Sequence, residues 1–501
     1  MIFTTNQPTG AVVARGAMLM VGFKLVERTI GFISTLILAR LLTPGDFGLV
    51  AMAMSVVSLM DLMGAFGFET AIIQRKDADR SHFDTAWTFG VIFGTGIAVM
   101  LVLLAVPAAQ FYHDSRLAMV LPVLAIGSFV SGFENIGTVA FRKGMDFGKE
   151  FRFLLSKKII AFTVTISMAF AFESYWALVA GTVVGKCCMV LISYQVHPYR
   201  PRFSLAATRD LFHFSRWLFL SNLVMFLQNK SDSFILGRTV GAADLGLYKI
   251  ASEIAVLPST ELIAPINRAV FPAYSMLSSE LEKLREKFLE VFRFIAVIAL
   301  PVSIGLVCVA DLAVKVLLGA KWEAAVPLLQ LFVVCGLTSA LQSNLFLIIV
   351  ALGKPKANTM MSASMLVFYL PALVWSSLHY GVLGAAWVHL VMSVLVLIPL
   401  HIVFFTLTGL SRAAYFKTLW RPGLAAAGMG CTVLALQAAL VPYSAMIPAL
   451  LLLLVYVIAG TLSYVVFLLS LWLLNGRPEQ SAETAILREF GRRLKLKKNH
   501  A

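Results

Sequence analysis

The sequence predicts an all-α polytopic membrane protein. About fourteen transmembrane helices form two parallel six-helix lobes around a central cavity, with two further helices at the C-terminus. Three observations predict this. The 501-residue chain is 59% hydrophobic and 13% charged, with mean hydropathy +0.86, whereas soluble domains run near 45–50% apolar and about 25% charged. Its apolar runs reach the roughly 20 residues that a helix needs to cross a bilayer core. A charged corner, "LARLLTPGDFGL", returns about two hundred residues later as "LGRTVGAADLGL".

The apolar segments lie near residues 17–39, 48–73, 85–107, 117–140, 153–173 and 175–196, then 214–237, 246–271, 289–310, 325–350, 359–379, 383–407, 421–441 and 446–474. Spans five and six are tightly joined around Glu173. The expected domains are a lobe over 1–200, a lobe over 201–410, two added helices over 411–475 and a basic cytoplasmic tail over 476–501. The opening "MIFTTNQPTGAVVAR" lacks a basic n-region and an A-x-A site, so the first span is expected to stay in the mature protein. All five cysteines lie inside apolar runs without C-x-x-C spacing, which suits small buried residues rather than a metal or redox site.

The basic residues sort by side. About 31 of the 41 Lys and Arg fall in loops on one face, such as "QRKDADR", "FRKGMDFGKEFR" with Lys157 and Lys158, and "SSELEKLREKFLE"; about five fall on the other. That asymmetry places both termini in the cytoplasm. It also explains the net charge of +15 without a nucleic-acid partner. The tail "AETAILREFGRRLKLKKNH" reads either as a basic amphipathic helix on anionic membrane lipids or as a solvated topology signal.

The two corners align without a gap over 36–53 and 234–251, with seven of eighteen positions identical. Six spans separate them, so the halves are parallel repeats about an axis along the membrane normal. The corner has a local reading: Thr43 as N-cap, Pro44 at the first helical position and Asp46 at N3. In the second copy Gly241 takes the cap and Asp244 takes N3.

Ionised side chains inside the hydrocarbon cost about 3 kcal/mol or more unless they face protein or water. Span one carries Lys24, Glu27 and Arg28, which share one face with Gly31 and Thr35. Lys24 and Arg28 are i,i+4 neighbours and repel unless an anion lies between them. Glu27 is one such anion and a bound diphosphate is another. In span seven Asn222 occupies the place of Lys24, with Lys230 and Asp232 deeper; span eight adds Lys249 and Glu253. Asp61, Glu69, Glu134, Lys186 and Glu261 complete the set, whereas spans nine to fourteen hold almost no interior ionisable residues. A water-filled cavity lined mainly by spans one, two, seven and eight accounts for this distribution. For any single residue, a satisfied pair between packed helices explains it equally well. No P-loop, nucleophile elbow, Rossmann fingerprint or His/Asp metal cluster is evident, so neither enzyme chemistry nor a cofactor is expected.

Six segments carry a resemblance: "ARLLTPGDFGLVAMA", "AIIQRKD", "FRKGMDF", "RAVFPAYS", "GAKWEAAVPLLQLF" and "ALGKPK", in this order. Together they resemble the Wzx/ExoT-like polysaccharide flippases of the multidrug/oligosaccharidyl-lipid/polysaccharide exporter superfamily, over roughly residues 15–475. The resemblance implies a bacterial inner-membrane flippase for polyprenyl-diphosphate-linked oligosaccharides, serving exopolysaccharide or lipopolysaccharide biosynthesis by alternating access. It also implies a cationic lumen, for which Lys24 and Arg28 match by position. Lys230, Asn222 and Lys249 join them as substrate-binding candidates. The acids Glu27, Asp61, Asp232 and Glu253 depart from an all-basic lumen and are candidates for coupling to a proton or sodium gradient. A glycan polymerase and export proteins are the implied partners. The rival readings are a drug/cation antiporter of the same superfamily, which wants an acid-dominated pocket, and a membrane glycan polymerase or ligase, which wants a large periplasmic loop.

Overall fold

The computed structural model describes residues 10–64, 67–75, 77–440 and 447–476. The basic tail therefore lies outside the described residues. Among those described, helices are the only regular secondary structure, and the chain divides into two compact units, Met1–Gly246 and Leu247–Ala501.

The first unit holds α1 (Gly10–Leu41), α2 (Pro44–Met63), α3 (Phe68–Gln74), α4 (Arg80–Tyr112), α5 (Leu117–Ser131), α6 (Val139–Lys143), α7 (Phe147–Phe172), α8 (Trp176–Val196) and α9 (Thr208–Thr239). The helix α10 (Gly241–Pro258) begins in it and runs into the second unit. There follow α11 (Ala264–Met276), α12 (Leu281–Leu317), α13 (Val326–Ala351), α14 (Pro355–Leu395), α15 (Leu397–Thr408), α16 (Arg412–Phe416), α17 (Trp420–Leu440) and α18 (Ala449–Leu474).

The protein is an all-α, multi-pass membrane protein. Among the described residues nine helical stretches are long and apolar enough to cross a membrane, and α5 with the short helices after it, bent by 63°, makes a tenth. One stretch, Pro355–Thr408, is 54 residues long and breaks at Gly381, whose backbone is non-helical, so it supplies two spans. The remaining expected spans are α1, α9 and α10 with α11, which carry the charged candidates Lys24, Lys230 and Lys249. Each of the fourteen expected segments thus coincides with a helix or a helix pair.

The first corner forms as its sequence requires. Thr43 caps α2: its Oγ1 accepts from the Asp46 amide at 3.3 Å, and its own amide donates to Asp46 Oδ2 at 2.8 Å, with Pro44 in the first turn. In the second copy the turn is made by Gly241 at φ +85°, leaving only Val240 between α9 and α10. The two corners also touch each other. A Cβ on Gly48 would sit 1.6 Å from the Ala242 carbonyl oxygen, and one on Gly246 would sit 1.8 Å from that of Pro44. These are repeat-equivalent positions, so the contact is reciprocal, and bare backbone is what allows it.

Around that contact α9 packs on α2 and α4. The Tyr112 ring covers Gly237, Ser55 and Tyr112 share a hydrogen bond at 2.9 Å, and Arg238 meets the His113 ring. At the opposite end of α4 the connection 197–207 is strapped down by polar side chains. Asn135 donates to the Tyr199 carbonyl at 2.8 Å, the Tyr199 hydroxyl donates to Asp84 Oδ1 at 2.7 Å, and Thr85 and Thr88 accept from the amides of Ala207 and Ser204. Burial and the neighbouring Asp84 carboxylate push the Tyr199 hydroxyl above the ordinary phenol range.

The second unit is built on α12. Phe288, Phe292, Phe404 and Tyr415 form its aromatic core, and α17 and α18 pack on α12 through Ala425, Ala426, Met429 and Tyr464, whose hydroxyl donates to the Val297 carbonyl at 2.9 Å.

Gly48→Ala should drive a methyl group into the Ala242 carbonyl and cost about 1–3 kcal/mol, the usual range for overpacking. Gly45→Ala, whose Cβ would meet nothing nearer than Thr43 Oγ1 at 3.7 Å, should be close to neutral. Thermal melting of the detergent-solubilised protein checks both, and equal melting temperatures would contradict the reciprocal contact.

Candidate functional site

The mixed-charge face of α1 is present in the first unit. Lys24 Nζ lies 2.7 Å from Glu27 Oε2, with side chains 59% and 35% exposed. The helix is held by its other side: Phe23 is buried and packs edge-on against Phe151 of α7 at 6.1 Å. The Lys24 ammonium also lies 5.7 Å from the Phe23 ring centroid. Arg28, one turn on from Lys24, is exposed.

One further cation joins this face. A Cβ on Gly31 would meet Lys158 Nζ at 3.7 Å, so the small residue on α1 leaves room for the α7 ammonium. Lys157 and Lys158, expected in a cytoplasmic loop, both lie inside α7, more than two turns beyond its start at Phe147. The signal in the sequence was the period: Gly31 continues the Lys24–Glu27–Arg28 stripe and lacks a side chain of its own.

The other candidates distribute as follows. Asn222, Lys230 and Asp232 lie on α9 in the first unit, whereas Lys249 and Glu253 lie on α10 beyond Gly246, in the second. Lys249 Nζ is 5.9 Å from the Tyr248 ring, which itself packs edge-on to Phe332. Asp61 is separate from the α1 face. It lines a cavity of about 410 Å³ inside the first unit, formed by α2, α3, α4 and the bend after α5. Glu69 and Glu134 line the same cavity, and none of Lys24, Arg28, Lys230 or Lys249 does. Lys186 of α8 donates to Ser128 Oγ at 3.4 Å and lies close enough to act on Asp61 electrostatically. Among the described residues no three His, Cys, Asp or Glu side chains converge to hold a metal ion.

The arrangement therefore separates two chemistries. The α1 and α7 face presents three cations and one acid, which suits a multiply charged anion bound by charge-assisted hydrogen bonds. The cavity presents acids, hydroxyls and aromatic rings, which suits a neutral polar group or a cation.

The family model described as "Polysaccharide biosynthesis protein" matches residues 37–327. The chain is 25% identical over 414 residues to the "Lipopolysaccharide biosynthesis protein WzxC" of Escherichia coli (strain K12), covering 82% of this chain and 83% of that one. It is 26% identical over 368 residues to the "Teichuronic acid biosynthesis protein TuaB" of Bacillus subtilis (strain 168), covering 73% and 76%. In fold it matches the lipid II flippase MurJ in an inward closed conformation, with a TM-score of 0.74 at 12% identity over 91% of this chain and 99% of that chain. An inward-facing multidrug resistance transporter of the MATE family matches with a TM-score of 0.56 at 15% identity, over 77% and 96%. At those identities the likeness is one of fold.

Glu27→Gln removes the anion already paired with Lys24. An exposed ion pair contributes about 0.2–1 kcal/mol, so inorganic pyrophosphate should bind the variant a few-fold more tightly. Lys158→Ala should weaken the same binding, and titration calorimetry on the purified protein reads both. Unchanged affinity in Lys158→Ala would remove that residue from the face.

Proposed function

The chain belongs to the polysaccharide biosynthesis protein family, and from that membership we propose that it flips a polyprenyl-diphosphate-linked oligosaccharide across the bacterial inner membrane. The observation that carries the reading is the cationic face of α1 and α7 on helices of a membrane-spanning bundle. A diphosphate crossing the hydrocarbon needs fixed positive charge in its path, because an unpaired ion costs several kcal/mol there. Lys24 and Arg28 grip the diphosphate, Lys158 approaches it from α7, and the uncharged gaps at Gly31 and Thr35 leave room for it. When cargo is absent Glu27 neutralises Lys24; when cargo binds, the diphosphate competes for that ammonium. The polyprenyl tail stays in the bilayer throughout.

In this reading the repeats over 1–200 and 201–410 rock about a central cavity, and the head group moves from the cytoplasmic to the periplasmic leaflet. Asn222 and Lys230 on α9, with Lys249 on α10, are the second repeat's contributions to that path. Glu27, Asp61, Asp232 and Glu253 are the acids that can couple the movement to a proton or sodium gradient. Both termini face the cytoplasm, and a glycan polymerase with its export proteins takes the product on the far side.

The acids of the first-unit cavity, together with the MATE-like fold, favour one alternative: an ion-coupled antiporter of drugs or organic cations. The two readings part on cargo, since an antiporter leaves polymer export untouched when its gene is lost.

Two outcomes follow. Lys24→Ala/Arg28→Ala protein, correctly inserted, should fail to restore polymer export in a deletion strain, and the lipid-linked oligosaccharide should accumulate. Each lost charged hydrogen bond is worth about 1.5–3 kcal/mol, or roughly tenfold or more. Normal export by the double variant would sink the diphosphate reading. For orientation, alkaline phosphatase fused after Asp114 should be active and fused after Lys283 inactive; the reverse pattern would invert the topology.

A further inference from the structure

We infer that the cavity inside the first unit is a saccharide subsite, which holds one sugar unit of the cargo apart from the diphosphate-binding face of α1 and α7. The inference rests on the proposed function and adds a second place of contact within it.

The cavity is built by irregularity. Between α5 and the helices after it the chain turns by 63° over residues 132–135. Gly132 lets that turn lie close against α4, because a Cβ there would lie 2.7 Å from the Gly90 carbonyl oxygen. Asn135, fully buried, pins the turn through its side-chain bonds to the His197 and Tyr199 carbonyls and the Gly137 amide. The freed segment carries Glu134 to the cavity wall, while α3 brings Glu69, which Arg142 holds at 3.4 Å.

The lining has the chemistry of a sugar site. Carboxylates accept strong hydrogen bonds from hydroxyl donors, and Asp61 and Glu134 line the cavity together with the hydroxyls of Ser128 and Ser131. Phe68 and Phe93 also line the space, their rings 6.3 Å apart and 22° from parallel. The negative face of an aromatic ring attracts the polarised C–H edge that one side of a pyranose presents. Trp87 lines it as well and is 8% exposed.

Its acids make the cavity a poorer place for a diphosphate than the α1 and α7 face, although Glu69 is paired with Arg142 and Lys186 acts on Asp61. The volume, about 410 Å³, falls at the low end of small-molecule sites, roughly 300–1,000 Å³. That suits one unit of a glycan rather than the whole chain. The two sites therefore divide a cargo with a charged end and a hydroxylated end.

The test uses the full chain with its five cysteines replaced by serine. Ser131→Cys reports on the cavity and Gly31→Cys on the cationic face, each labelled with N-ethylmaleimide; Thr70→Cys replaces Ser131→Cys if that variant folds poorly. The probes are lipid-linked oligosaccharide extracted from cells deleted for this chain and synthetic undecaprenyl diphosphate without sugar. At about ten times its half-saturating concentration the extract should slow labelling in the cavity about tenfold, and undecaprenyl diphosphate should leave it unchanged. Both probes should slow labelling at Gly31→Cys. Asp61→Asn/Glu134→Gln should abolish the protection in the cavity and keep it on the α1 face. The subsite is overturned if the extract protects Gly31→Cys alone, or if sugar-free lipid protects the cavity equally well. Loss of protection at Gly31→Cys with protection retained in the cavity would instead remove the diphosphate reading.

Discussion

A bilayer has no water in its core to solvate a charge or a bare peptide group, and each irregular feature of this protein answers to that constraint. Helices satisfy the backbone, so the described residues are helical nearly throughout. Where the backbone departs from helix, side chains take over. Asn135 bonds the carbonyls of the 197–207 connection, and Thr43 and Asp46 complete each other at the head of α2. The interior charges are subject to the same rule, and they concentrate on α1, α9 and α10.

The corner at Thr43 serves two purposes that rest on different physics. Its capping box is local and satisfies the amides of one helix end. Its glycine is not local: Gly48 and Gly246 let two repeat-equivalent backbones meet at distances that a single methyl group would forbid. A duplicated corner thus contacts its own copy, which is a strong reason for both copies to keep a residue without a side chain.

Within the first unit, the cations of the α1 face and the acids of the cavity stand on different elements, and the cavity acids have cations of their own in Arg142 and Lys186. Lys24, Arg28 and Lys158 stand on α1 and α7, with Glu27 as the acid among them, whereas Asp61, Glu69 and Glu134 line a cavity behind the α5 bend. Separated, one face can take an anion and the other space can take hydroxyl groups, which is the division that a diphosphate-linked glycan presents.

Much of this was legible in the sequence, for reasons of range. Span number and the cap at Thr43 depend on residues within about one helix turn or one helix length of each other, and composition with short-range pattern determines them. The stripe of Lys24, Glu27 and Arg28 follows from helical period alone. The sequence by itself also determined the repeat, because the offset that pairs Ile37 with Ile235 needs no geometry. What only the tertiary structure decided were the partners across helices. By sequence Lys158 counts as a loop charge, but α7 places it against Gly31; Asp61 is expected in a cavity shared with span one, but it lines a separate one together with Glu134. Both depend on how one helix packs against another, and a charge on a helix carries no local mark of which neighbour it will face.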